Sequence, residues 1–168
     1  MKRLVLLAAT LLITTLSAAQ GPQTSREFRE QLAKYKDAQQ WNLVVIYAQD
    51  WVRKTPREAL AWNELSLAYA RLQQNEEALE AAKRAAQLSN KEPILWANLG
   101  YAHLRVKESG AALKAFEEAV RLNPNDARSL TEIGVIYLRA GRDHEAKYAF
   151  DSAIAANPEY SEAICGQA

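Results

Sequence analysis

The chain carries few side chains suited to making or breaking bonds. Its single cysteine is Cys165 and its only imidazoles are His103 and His144, whereas a zinc-type centre needs three or four soft or imidazole ligands at set spacing. His103 lies within an apolar stretch and reads as a buried structural histidine rather than a ligand or base. His144, in "RDHEA", is flanked by Asp143 and Glu145, acids that suit the start of a helix, and reads as a solvated turn. The chain contains no Gly-rich phosphate loop, no G-x-S-x-G and no H-E-x-x-H. No catalytic, cofactor-binding or metal-ligating residue is therefore assigned. The residues that stand out belong to recognition: Arg71, Arg105 and Arg139 recur at 34-residue intervals, and Leu67, Tyr101 and Val135 do so at the same interval. A row of cations beside a row of apolar groups suits the holding of a partner.

Composition narrows the class further. With 49% hydrophobic and 24% charged residues, the 168-residue chain is ordinary globular material, long enough for a core. The formal charge of +1, with no block of like charge, argues against a nucleic-acid partner, because neutralising phosphates calls for a basic excess.

The first residues read as a targeting segment. "MKRLVLLAATLLITTLSAAQ" opens with Lys2 and Arg3, runs apolar from Leu4 to Leu16, and ends in small residues at Ser17 and Ala19. That pattern predicts a cleavable signal peptide over 1–19 and a short linker over 20–24. The apolar run is shorter than the roughly 20 residues of a membrane-spanning helix, so no span is expected after cleavage, with an uncleaved N-terminal anchor as the alternative. Without Lys2 and Arg3, 19 basic residues face 20 acidic ones. An exported protein, periplasmic or secreted, is expected.

The recurrence of 34 residues extends to the whole chain. Rows beginning at Ala59, Pro93 and Ala127 align Trp62, Trp96 and Leu130; Leu65, Leu99 and Ile133; Ser66, Gly100 and Gly134; and Tyr69, His103 and Tyr137. They also align Ala78, Ala112 and Ala146; Ala82, Phe116 and Phe150; Ala85, Ala119 and Ala153; and Asn90, Pro124 and Pro158. The first four columns are spaced i, i+3, i+4, i+7 and the next three i, i+4, i+7, each one face of an amphipathic helix. "VKESG" (106–110) and "RAGRD" (139–143) supply the turns between the two helices, and the closing Pro turns the chain into the next row. The small residues let the two helix axes approach. Each row is thus a helical hairpin that buries its apolar side by stacking on its neighbours.

"WANLGYAHL" (96–104), followed by Ala112, Phe116, Ala119 and Pro124, resembles the tetratricopeptide repeat, whose signature runs W-x2-L-G-x2-Y…A-x3-F…P. "LTEIGVIYL" (130–138), with Ala146, Phe150, Ala153 and Pro158, is a second match. "WNELSLAYA" (62–70) is a third, with Ala82 and Asn90 in place of the Phe and Pro. Three repeats are expected at 59–92, 93–126 and 127–160. A divergent N-terminal repeat is expected at 25–58, with helices near Arg26–Lys36 and Gln40–Arg53 and Gln31 in an apolar slot. Trp41 and Trp51 there read as packing.

The resemblance implies an all-α fold, a right-handed α-solenoid of stacked antiparallel helical hairpins whose concave face is lined by the first helix of each hairpin and binds peptides or proteins. On that face it places Asn63, Leu67, Arg71, Asn98, Tyr101, Arg105, Arg128, Val135 and Arg139. Leu67, Tyr101 and Val135 would form an apolar strip, the Arg ladder a cationic rim, and Asn98 a two-sided amide for a partner's backbone. The alternative for the Arg ladder is three solvated helix ends favoured by the helix dipole. Some family members clamp a chaperone's C-terminal carboxylate with Lys, Asn, Asn, Lys and Arg; Asn63, Leu67, Asn98, Arg128 and Glu132 hold those slots here. Only Asn98 and Arg128 fit, and Glu132 would repel a carboxylate.

The expected function is a non-catalytic interaction adaptor of the cell envelope, holding a partner with apolar anchors and acidic flanks. The alternative is a structural homo-oligomer or a subunit of an envelope assembly or secretion complex, joined through solenoid ends. After Pro158, "SEAICGQA" (161–168) reads as a truncated capping helix, with Ile164 in the Trp column. Apolar surface around Tyr148 and Ile154 is then expected to be incompletely covered, an edge through which a homodimer would form. Cys165 on that edge would form an intermolecular disulfide, stay a free thiol, or serve only as a small residue at a frayed terminus.

Overall fold

The computed structural model describes residues 24–158. The expected signal segment, most of the linker, and the tail with Ile164 and Cys165 lie outside the described residues. Among the described residues eight helices follow one another: α1 (Ser25–Asp37), α2 (Trp41–Lys54), α3 (Ala59–Arg71), α4 (Asn75–Leu88), α5 (Pro93–Arg105), α6 (Ser109–Leu122), α7 (Ala127–Arg139) and α8 (Asp143–Ala156). Odd-numbered helices are 13 residues long and even-numbered ones 14. They pair as consecutive hairpins, and each hairpin packs on the next. The fold is an all-α solenoid of stacked helical hairpins.

Caps recur with the same period. Thr24, Glu58, Glu92 and Asp126 are the N-caps of the four odd helices. Thr24, the last residue of the expected linker, forms a reciprocal capping box: Glu27 N donates to its Oγ1 at 3.3 Å and its own N donates to Glu27 Oε2 at 3.1 Å. Asp126 accepts from Ser129 N at 3.3 Å and from Ser129 Oγ at 2.6 Å. Glu58 instead ties two hairpins together, accepting from Trp51 Nε1 at 3.0 Å and Ser25 Oγ at 2.6 Å.

The turns inside hairpins are shorter than the sequence suggests. α6 begins at Ser109, so only Val106–Glu108 turns, and Gly110 is helical with open space around its Cα. The left-handed turn residue is Lys107 (φ 64°), with Gln39 (φ 54°), Gln73 (φ 60°) and Gly141 (φ 68°) at the same place in the other hairpins. A glycine reaches that conformation without cost, whereas an L side chain is strained in it.

The core is a chain of local clusters rather than one centre. Phe28 and Trp51 stack at 5.6 Å and both are fully buried, joining α1 to α2 and packing with Ala61, Leu65 and Ala68 of α3. Leu79, Ala82 and Ala86 of α4 pack with Leu99 and Ala102 of α5. Phe116 packs with Ile133 and Ile136 of α7. Trp62 and Trp96 each donate an indole N–H to the carbonyl six residues earlier, of Pro56 (3.0 Å) and Asn90 (2.9 Å), so the Trp column fastens the link between hairpins. Glycine in the Ser66 column makes room for a ring rather than for small residues opposite: a Cβ on Gly100 would lie 2.6 Å from Phe116 Cε1, and one on Gly134 2.7 Å from Phe150 Cε1. Where Ala82 replaces the Phe, Ser66 replaces the Gly, and its hydroxyl donates to Ala78 O at 2.8 Å.

Candidate functional site

The odd helices α3, α5 and α7 enclose a groove of about 640 Å³. Leu67, Arg71, Asn98, Tyr101, Arg105 and Arg128 line it, as do Ile94, Leu104, Asp126 and Ser129. The i, i+3, i+4 spacing of these residues on helices of equal length brings one face of each helix to the same wall. Leu67 and Ile94 are exposed, and Tyr101 is half-buried, its ring edge-on to Phe116 at 5.1 Å. The floor is therefore apolar and held rigid from beneath.

The remaining expected groove residues fall elsewhere. Asn63 is buried and accepts a hydrogen bond from Asn98 Nδ2 at 2.7 Å. That bond uses one of the two Asn98 Nδ2 hydrogens, which leaves the other N–H and the carbonyl oxygen for a partner. Val135 is half-buried and Arg139 exposed; neither lines the cavity. Trp51 packs in the core and Trp41 lies beneath Arg71.

The arginines differ in how far they are engaged. Arg71, Arg105 and Arg139 are the last residues of α3, α5 and α7, where a cation complements the helix dipole. Arg71 and Arg105 also meet the first residue of the second helix in the hairpin before them. Arg71 lies 5.2 Å over the Trp41 ring, and Arg105 reaches Asn75 Oδ1 only at 3.5 Å. Ser109, too short to reach far, holds that place before Arg139. Arg128 lies 5.8 Å from the Tyr101 ring. Arg128 and Arg139 attract half-buried Glu132, and the Tyr101 hydroxyl donates to it, yet burial outweighs these effects and raises the Glu132 pKa. Arg105 is thus the groove arginine least committed within the fold.

Sequence reasoning missed Leu104, Asp126 and Ser129 as lining residues. Asp126 and Ser129 form the N-cap of α7, and that cap borders the groove. Two shallower clefts repeat on the outside of the stack: one at Trp62, Tyr69, Glu76 and Glu80, and one at Leu130, Tyr137, His144 and Tyr148, the same columns two repeats on. Tyr148, exposed as expected together with Ile154, borders that outer cleft, in the column of Glu80 and Lys114. His103 is buried with Nδ1 2.8 Å from Glu108 Oε2, at the joint between α5 and α6. Among the described residues no group of His, Cys, Asp or Glu is placed to hold a metal ion, and no helix is long and apolar enough to cross a membrane.

The stacked hairpins, the repeated caps and the Trp–carbonyl links define a helical repeat protein. The tetratricopeptide repeat profile matches residues 47–93 and 97–161, and the chain belongs to that family. Among curated proteins, none matches the sequence. Solved structures of MamA are similar: one superposes with a TM-score of 0.79 at 20% identity, covering 88% of this chain and 86% of its own. A second gives 0.75 at 21% identity, covering 88% and 79%. The MamA 41-end structure from Desulfovibrio magneticus RS-1 gives 0.75 at 13% identity, covering 84% and 80%. At these identities the likeness is one of fold.

Proposed function

We propose that this protein is a non-catalytic interaction adaptor of the cell envelope that receives a segment of a partner protein in the groove of α3, α5 and α7. The observation that carries the reading is the groove itself: an apolar floor of Leu67, Ile94 and Tyr101 beside Arg71, Arg105 and Arg128. A segment with apolar anchors and acidic flanks suits it, because a carboxylate near Arg105 gains a charge-assisted pair that the fold does not already supply. The chaperone-carboxylate mode does not suit it, since Glu132 stands among the groove cations. Export rests on residues 1–19; N-terminal sequencing of the protein from cells should begin at Gln20, and an intact Met1 would contradict cleavage.

The test is capture of envelope proteins by the wild type against Tyr101→Ala and Arg105→Glu. Both variants should lose the same partner while keeping the wild-type circular dichroism. Capture unchanged in both would refute the groove as the binding surface. A second reading, a structural subunit joined through solenoid ends, is favoured by exposed Leu138 and Ile154 on the last hairpin.

A further inference from the structure

The second and fourth hairpins build their outer clefts from the same columns but furnish them differently. In the fourth, a cation of the chain itself sits in place: the Arg142 guanidinium lies 4.3 Å over the Tyr137 ring and pairs with Glu145 at 2.8 Å. A tyrosine face attracts the cation from one side and a carboxylate pairs with it from the other. The Tyr137 hydroxyl is anchored in turn, donating to Glu117 Oε1 at 3.3 Å.

In the second hairpin the same columns hold Tyr69 and Glu77, and the ring is fixed at the same place, with Gln49 Nε2 donating to the Tyr69 hydroxyl at 2.8 Å. The column of Arg142, however, holds Gln74. The ring and the acid are kept while the cation is missing. This cleft, of about 540 Å³, also has the Trp62 ring, oriented by its bond to Pro56 O, and the acids Glu76 and Glu80. The fourth hairpin has Leu130, His144 and Tyr148 in those columns, and the third replaces the three acids with Gly110, Ala111 and Lys114. The helix dipole suits Glu76 and Glu77 in the first turn of α4, but not Glu80 a turn further in. Glu80 pairs with Lys83 at 2.9 Å. Among the described residues, neither Glu76 nor Glu77 has a hydrogen bond or ion pair, and Arg84, which borders the cleft, lies over neither ring.

We propose that the outer cleft of the second hairpin takes an arginine side chain from a basic segment of a partner protein, its guanidinium laid on the Tyr69 and Trp62 rings and paired with Glu76 and Glu77. The contact that Arg142 makes inside the fourth hairpin is then made here between two proteins. A guanidinium suits the cleft better than an ammonium, because its plane stacks on a ring while its edge reaches a carboxylate. The groove of α3, α5 and α7 carries cations and this cleft carries acids, so the two faces select segments of opposite charge. The inference is independent of what the groove binds.

Titration of the purified, isotope-labelled protein with a short peptide of alternating arginine and glycine, followed by proton–nitrogen correlation NMR, tests it. The expected result is saturable shifts of the Trp62 indole N–H and of the backbone amides of Glu76, Glu77 and Glu80, with a Kd on the order of 1 mM. The matching lysine–glycine peptide should bind at least about threefold more weakly. Gln74→Arg, which supplies the chain's own guanidinium as Arg142 does, should weaken binding at least about tenfold. Gln87→Arg adds the same charge outside the cleft and should change it by less than about twofold. Shifts centred on the concave groove or spread over the whole surface, equal binding of the two peptides, or binding untouched by Gln74→Arg would overturn the proposal. Shifts of the same residues that grow with protein concentration in the absence of peptide would assign the cleft to a second copy and overturn it as well. Should Gln74→Arg fail to fold, the location of the shifts in the wild type and the comparison of the two peptides decide.

Discussion

Replacing Gly100 with alanine sets a helix-propensity gain against a steric cost whose size follows from the coordinates. The new Cβ would lie 2.6, 2.7 and 2.8 Å from three ring carbons of Phe116, which is fully buried and has no room to swing aside. Overpacking of this kind costs about 1–3 kcal/mol. The helix gains about 1 kcal/mol when alanine replaces glycine, so a net loss of up to about 2 kcal/mol is expected. On a Phe116→Leu background the ring carbons are gone, and Gly100→Ala should become neutral or stabilising by up to about 1 kcal/mol. Urea denaturation followed by far-ultraviolet circular dichroism on the four proteins of this cycle gives the coupling, expected near 2 kcal/mol. Gly134→Ala meets Phe150 at 2.7 Å, but that ring is only half-buried and can give way, so its loss should be smaller. An equal effect of Gly100→Ala on both backgrounds would show that the glycine does not make room for the ring.

At the left-handed turn positions, Lys107→Gly and Gln73→Gly should each raise stability by up to about 1 kcal/mol, and Gly141→Gln should lower it by about 1–2 kcal/mol, as read from urea midpoints. Arg105→Glu should lower stability by no more than about 1 kcal/mol, from the charge change at the end of α5, while abolishing partner capture, because among the described residues its hydrogen bond is a 3.5 Å contact to Asn75. Glu132 binds its proton more tightly in the folded chain than in the unfolded one, so it favours folding at pH below its unfolded value, and that contribution is lost as pH rises through its raised folded value. Glu132→Gln should therefore gain stability relative to wild type at pH 7, with the difference shrinking toward pH 4; a gain that is constant across that range would contradict the assignment.

The helices and their pairing were legible because an amphipathic period of 3.6 residues repeats inside a period of 34, and no long-range pairing had to be guessed. Gln31, an apparent misfit in an apolar slot, is legible once the stack is seen, since it belongs to the polar leading end. The turns were misjudged because Gly110 attracted the reading as a turn residue, whereas the left-handed position falls on Lys107. Of the candidate groove, the residues on the right helix face could be selected by spacing alone. What spacing could not supply was engagement: that Asn98 gives one of its N–H groups to Asn63, that Arg71 rests on Trp41, and that Arg105 makes only a long bond to Asn75 among the described residues. These contacts run between hairpins, over separations that no single helical pattern encodes. The surface around Tyr148 and Ile154 is exposed as expected, with Tyr148 also bordering the outer cleft.

Photo-crosslinking in cells from position 101, compared with position 80 in the outer cleft and repeated with Arg105→Glu, tests the groove most directly. A discrete adduct from position 101, absent from position 80 and lost on charge reversal at Arg105, is the expected result. An adduct from position 80 alone, or one from position 101 that survives the reversal, would contradict the account.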